Sequence, residues 1–564
     1  MHDLVIRNGM VIDGSGSPER QADVAIDGSV IVEVGSRVDR GRREFDAGGK
    51  VVSPGFIDAH THLDAQIFWD PASASLSSHG VTTAVMGNCG FTLAPSAASA
   101  MDLVLRSIER SEDMSRDAIM AGVPWQWVTY PEYLDAVDAL PKGLNCAGYV
   151  GHSAVRTHVM GERAFEMEAT EADITAMAIQ VEEALRAGAM GFSTSRSFHH
   201  LTYSDGPVAS RLAAWSEVAS LVEVLGRLGA GIFQLAPERS EDPDAVASFQ
   251  RRLVALIKAT GRPATFMLGG DLDILDAISD GVAGTTGRAI GQMHVRGFEN
   301  VYSFETILPF DSLPSWRPIR NLSTEEQLAR FADPVIRAQL VNEAMNAEYV
   351  KTTGAEPRPP VFDEIYLVGN DEEATRSVAE LARLEGVTPI EVMIDRSVTS
   401  KFKQCFRQPL RRFDSDGALA ALRRPDTVIA ASDSGAHVSQ ILDSNIPAYL
   451  LSYWVREREE FTLVEAVKML TRDPALSWGF SDRGLLRPGF AADVVVFDPQ
   501  QVGSALPHVA FDLPDGGPRL VQQGQGFDLI AVNGVVTWLE GNHTGDFSGR
   551  LLRGSLATQA AAAS

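Results

Sequence analysis

Cysteine is scarce. Cys89, Cys146 and Cys405 are the whole complement of a 564-residue chain. Far apart and odd in number, they argue against a disulfide framework and for a reducing, cytoplasmic setting. Positive charge is also short. Against 74 acidic residues stand 49 Lys and Arg, a net charge of −25, so no basic face is expected and a nucleic-acid partner is excluded. No apolar run is long enough to cross a bilayer, so no membrane is expected as a partner. The opening "MHDLVIRNGMVIDG" has no basic region followed by an apolar core, and no signal peptide is expected. The glycines of "GMVIDGSGSPER" lie in a hairpin pattern and not before a helix, which makes a poor dinucleotide loop.

What is present is organised in blocks. The first fifty or so residues alternate apolar runs with "NG" and "DG" turns, the pattern of strands and hairpins. The same texture returns in "ADVVVFDP" and "DLIAVNGVVTWLEGN" near the C-terminus. Both ends are therefore expected to build one small β domain, from 1–52 and 481–552. Between them, short apolar runs alternate with helical patterns such as "EADITAMAIQVEEALRAGA", the signature of βα units. Eight strands are predicted: 55–62, 82–89, 145–152, 190–194, 231–235, 263–268, 289–295 and 427–433. Eight units point to an α/β fold, a (β/α)8 TIM-type barrel over 53–480. The interval between the seventh and eighth strands is too long for a loop. It is read as an inserted helical subdomain at about 299–420. The low-complexity tail, 553–564, is expected to fray.

In such a barrel the chemistry sits at the C-terminal ends of the strands. His60 and His62, two apart in "SPGFIDAHTHLDAQ", share a face if the strand is extended, and two imidazoles so placed can bind one divalent metal. A polar pair at a strand end is the other reading. Cys89 closes the second strand between Gly87 and Gly90; it is a small core residue or a thiolate stabilised by metal. Asp433, in "VIAASDSGAHV", is a metal-binding carboxylate and proton acceptor, or a turn aspartate. His437 is open to three roles: orienting Asp433, binding substrate, or capping a helix. Cys146 and Cys405 are read as structural.

Together "VVSPGFIDAHTHLDAQ", "GVTTAVMGNCGFTLAP", "GYVGHSAVRTHVMG", "GFSTS", "ASDSGAHV" and "DRGLLRPGFAADVVVFDP" resemble the amidohydrolase superfamily, and within it the D-aminoacylase-like branch. The resemblance implies a barrel with a β-sandwich made from both termini, and a zinc-type metallohydrolase. It assigns metal binding to His60, His62, Cys89 and Asp433, with Asp433 also the catalytic acid–base group. It also implies one histidine from each of the fifth and sixth strands, and there the sequence departs. The fifth reads "GIFQLAPERS", with Gln234 or Leu235 near the expected place; the sixth reads "ATFMLGG". One Zn2+ per chain is therefore expected, with N₂SO ligation plausible for zinc.

The implied reaction is hydrolysis of the amide bond of an N-acyl-D-amino acid or related N-acyl compound. Alternatives are another amide, a cyclic amide or a lactone on the same fold, and a relative that binds without hydrolysing. A substrate carboxylate calls for an arginine fork. Arg156, Arg196, Arg239 and Arg296 all follow predicted strands, and Arg156 is favoured. His152, His199, His200, Gln234, His294 and His437 are the remaining candidates for substrate contacts. The partner expected is a small-molecule amide; a homo-oligomer is left open.

Overall fold

The computed structural model describes residues 1–269, 272–349, 356–410 and 413–563. All eight predicted strands are present; the fourth and fifth keep their predicted length, shifted by one residue, and the other six are shorter or broken. The first, Phe56–Asp58, pairs in parallel with the second, Val81–Met86, which pairs with the third, Asn145–Gly148. The third resumes after Tyr149 as Val150–Gly151. From there a six-stranded parallel sheet runs through Gly191–Ser195, Ile232–Ala236, Ala264–Met267, Ala289–Met293 and Thr427–Ile429. Beyond the eighth strand, His62 donates its backbone N–H to Ser434 O at 2.8 Å, bringing the first and last strand ends together. Ile57, Val85, Ala147, Ile232, Ile290 and Val428 meet in one apolar cluster, with members from both parallel sheets.

The short strands correct one expectation. His60, His62, Cys89, His152 and Asp433 all lie just past strand ends, in turns or at a helix start. His60 and His62 therefore do not share a face by strand alternation; the irregular segment after the first strand brings them together, with ring centroids 5.5 Å apart.

Helices separate the strands as the patterns predict. Glu171–Ala187 is opened by a capping box, Thr170 with Asp173, and closed at Gly188 with φ 121°. Its buried Met177, Val181, Ala184 and Leu185 recur at helical spacing and face the core.

Strands from both termini share one nine-stranded sheet. Val51–Pro54 pairs with Val494–Phe497, which pairs with Phe527–Val532. The sheet branches at His2–Val11, which pairs twice along one edge: residues 2–7 with Gly41–Asp46, and residues 10–11 with Val51–Val52. Strands of both branches share one apolar cluster, Leu4 and Ile26 with Val494 and Leu529. The "VNG" signal forms the hairpin after Phe527–Val532, with Asn533 and Gly534 both at positive φ.

Between the seventh and eighth strands lie helices and a small antiparallel sheet of Glu299–Ser303, Cys405–Pro409 and Tyr366–Leu367. This segment has its own apolar core, including Trp316, Phe331 and Phe402. Residues 350–355 and 411–412 of the expected insertion lie outside the described residues. Ser555–Ala563 is helical, and Leu556 packs on the large core, which suits an alanine-rich segment with an apolar anchor.

Candidate metal centre

The first strand ends at Asp58, whose carboxylate accepts the backbone N–H of His60 at 3.1 Å. The His60 ring is held from behind by Gln292 of the seventh strand. Its Nδ1 lies 2.5 Å from Gln292 Oε1, and Gln292 Nε2 donates to Thr265 Oγ1 at 3.1 Å. That chain of donors fixes Nδ1 as the protonated nitrogen and turns the Nε2 lone pair toward the centre. His60 Nε2 lies 3.3 Å from Asp433 Oδ1 and 3.5 Å from Cys89 Sγ. His62 Nε2 lies 3.8 Å from the same Asp433 oxygen. One donor atom from each of His60, His62 and Cys89 falls within 4.8 Å of the others.

Cys89 is presented by a locked turn. It has φ 56°, between Gly87 at 77° and Gly90 at 80°. Gln234 Oε1 accepts its N–H at 2.7 Å, and Asn88 ties the turn to Thr61 O and Val85 O. A left-handed cysteine costs roughly 1 kcal/mol, which these bonds offset. Asp433 has φ 49° in the turn after the eighth strand. Gly435 lets that turn close on the histidines: a Cβ there would sit 2.3 Å from His62 O.

The donor spacings discriminate between two kinds of site. Hydrogen bonds between nitrogen and oxygen run roughly 2.7–3.2 Å. Ligands about 2.0–2.3 Å from a tetrahedral zinc lie roughly 3.3–3.7 Å from one another. The His60–Asp433 contact falls in the second range; the His60–Cys89 contact, at 3.5 Å, fits either a hydrogen bond to sulfur or a shared ion. Asp433 Oδ1 is buried and has no hydrogen-bond partner among the described residues. Burial pushes the Asp433 carboxyl up to about 8, drives the Cys89 thiol well above its usual range and lowers both histidines. Unaided, the protein opposes every anion in this pocket. A cation reverses each of those preferences, and the set of N, S and O donors suits one.

The cluster opens into a cavity of about 570 Å³, which His199, His200, Gln234, His294 and His437 also line. His200 Nδ1 is 2.6 Å from Ser195 Oγ, and burial lowers its pKa to about 3. His294 Nδ1 is 2.6 Å from Arg296 O. His437 is lowered to about 4, again by burial.

Three candidates are not brought to the cavity. His152 and Arg156 are fully buried, both on Glu217, at 2.9 and 3.0 Å; Arg156 also donates to the carbonyls of Ala164, Ala209 and Met167. Arg196 is taken up by Glu238 and the carbonyls of Arg211 and Ala213. The favoured role of Arg156 in gripping a carboxylate is therefore withdrawn: its fork is already filled. Arg239, Arg296 and Arg358 reach the cavity instead, and Arg296 is paired with Asp443 and Glu299.

Sequence reasoning missed three further residues. Glu112 lies in the ordinary-looking "RSEDMS", Gln292 in a buried strand, and Arg358 arrives from the inserted segment. Only the polar Gln292 amid "AIGQMHV" gave a signal. At the fifth and sixth strands the cavity is lined by Gln234 and Met267, where the resemblance would place histidines.

The model of the amidohydrolase family matches residues 43–273 and 326–525. A D-aminoacylase of Alcaligenes xylosoxydans xylosoxydans is 28% identical, over 98% of this chain and 97% of its own. An N-acyl-D-aspartate deacylase from the same organism is 28% identical, over 96% of this chain and 93% of its own. Among solved structures, a D-aminoacylase superposes with a TM-score of 0.65 at 24% identity, covering 98% of this chain and all of that one. With the family model spanning most of its length and the donor set at the strand ends, the chain belongs to the amidohydrolase family and is a hydrolase of carbon–nitrogen bonds other than peptide bonds.

Proposed function

We propose that this chain deacylates an N-acyl-D-amino acid, or a closely related N-acyl compound, with one zinc ion held by His60, His62, Cys89 and Asp433. The observation that carries the reading is the convergence of donor atoms from His60, His62 and Cys89 within 4.8 Å of one another, with Asp433 Oδ1, partnerless among the described residues, 3.3 Å from His60 Nε2. One ion follows from Gln234 and Met267, neither of which replaces a histidine ligand. A solved N-acyl-D-glutamate deacylase from Bordetella bronchiseptica, 23% identical with a TM-score of 0.64, is a complex with zinc and a phosphonate inhibitor.

A divalent cation at this place supplies Lewis acidity, acidifying water and polarising an amide carbonyl. Asp433 takes the proton of the attacking water and passes it to the departing nitrogen. Gln292 keeps His60 in the tautomer that leaves Nε2 free. Arg239, on the cavity wall after the fifth strand, is placed to contact a substrate carboxylate. The eight parallel strands form a closed barrel in this reading, joined at the His62–Ser434 hydrogen bond. Residues 1–52 and 481–552 form the β domain, 53–480 the catalytic barrel, and about 299–420 its insertion. Three free, buried cysteines suit the cytoplasm.

The test is a substrate panel at saturating zinc: N-acyl-D-amino acids, their L-enantiomers, cyclic amides and lactones. The D-series should be hydrolysed, and Asp433→Asn should lower kcat by roughly 10²–10⁴-fold. Turnover confined to cyclic amides or lactones would assign the other substrate class. Full activity in Asp433→Asn would remove its proton-transfer role.

A further inference from the structure

We infer that Glu112 is a further ligand of that one ion, entering as a carboxylate on the His62 side of the centre. The inference rests on the metal-centre reading above and adds a residue that neither the sequence pattern nor the resemblance supplied.

Glu112 is only 2% exposed. Its Oε2 lies 3.4 Å from His62 Nε2 and 3.7 Å from His437 Nε2. The hydrogen bonds of the described residues include none to this carboxylate. The spacing to His62, a ligand in the reading above, is beyond the N–O hydrogen-bond range and matches that of two ligands about one ion, roughly 3.3–3.7 Å at tetrahedral angles. A buried carboxylate needs a partner. The cavity wall places Glu112 among His62, His437 and Asp433, and the last is a like charge that makes the demand for a cation stronger.

The backbone holds Glu112 in place. It follows helix Met101–Ile108, and its N–H donates to Ile108 O at 2.9 Å. Its carbonyl accepts the N–H of His437 at 2.6 Å. The next residue, Asp113, accepts from Gln440 Nε2 at 3.1 Å and from Ser439. The turn carrying Glu112 is thus sewn to the turn carrying Asp433 and His437. One imidazole nitrogen, His62 Nε2, thus has two carboxylates near it, Glu112 at 3.4 Å and Asp433 at 3.8 Å.

The experiment is cobalt substitution of the metal-free full chain. Co(II) affinity is read by titration, and the ligand field by the visible absorption of the bound ion. Wild-type protein that takes up no Co(II) and no Zn(II) overturns the metal-centre reading itself. If wild type binds and Glu112→Gln binds more than tenfold more weakly with a changed Co(II) spectrum, Glu112 is a ligand. Unchanged affinity overturns the inference. So does weaker binding with an unchanged spectrum, since an outer partner moves affinity without altering the ligand set. Should Glu112→Gln not fold, Glu112→Asp keeps the charge and shortens its reach. A shifted spectrum with weaker binding then supports ligation, and a wild-type spectrum and affinity overturn it.

Discussion

Arg156 shows what burial does to a residue that looks functional. Its guanidinium is spread over Glu217 and three backbone carbonyls, with no exposed surface. Burial alone would raise the Glu217 carboxyl; His152 and Arg156 more than reverse that and hold it below its ordinary value. The group is a buried ion pair with a histidine bridge to Thr194, at 2.8 Å. Removing one member of such a pair leaves an uncompensated charge and costs roughly 3–5 kcal/mol. Arg156→Met is therefore expected to lower unfolding free energy in urea by that amount while KM stays unchanged. An arginine gripping substrate would give the reverse, a raised KM at full stability. Gln292 belongs to the same scale: from the cavity wall it decides which nitrogen of His60 is free.

Elements explain what was legible in the sequence and what was not. The eight strands were readable because buried parallel strands are short apolar runs between turn residues. Their ends were not, because the functional residues sit where regular structure stops. Cys89 and Asp433 adopt positive φ, which no hydrophobic pattern announces. Glu112 was invisible for a related reason: an acidic residue after a helix is usually solvated, and only the fold buries it. The terminal sheet was readable from its hairpin signals, but its branching depends on the length of one strand. His79, just past the short helix Ala74–Ser77, yields a prediction at this scale. It bonds Ser75 O at 2.7 Å and Ser504 Oγ at 3.2 Å, tying that helix to the C-terminal strand Gly503–Ser504. Burial lowers it from 6.5 to about 4. Between those values the unfolded chain binds the proton and the folded one does not, so stability falls as pH drops from 6.5 toward 4. The contribution is about 3 kcal/mol in full. Unfolding free energies measured across this window should fall less steeply in His79→Gln than in the wild type.

At the scale of the whole molecule, the two chain ends and the parallel strands meet at one buried carboxylate. Asp493, 4% exposed, accepts from Arg483 Nη1 at 2.6 Å, Asn145 Nδ2 at 3.0 Å and the Asn533 N–H at 2.8 Å. Asn145 begins the third parallel strand, Asn533 turns the C-terminal hairpin, and Asp493 precedes the strand Val494–Phe497 that pairs with Val51–Pro54. Asn533 Nδ2 also donates to Asn145 Oδ1 at 2.7 Å, closing the network. Burial raises the Asp493 carboxyl and Arg483 opposes that rise. Arg483→Met removes the opposing charge, so the folded-state pKa climbs further above the unfolded value. A group raised in this way costs nothing while protonated and destabilises once pH passes through its unfolded pKa. The loss in Arg483→Met is therefore expected to be roughly 3–5 kcal/mol at pH 7 and clearly smaller near pH 4. Because the network joins the parallel strands to the terminal sheet, urea unfolding of the wild type should show one transition. The variant should separate it, the terminal sheet melting first. A single transition in the variant, shifted equally at both pH values, would show that Asp493 is only a local contact and that the two parts are coupled by their apolar packing alone.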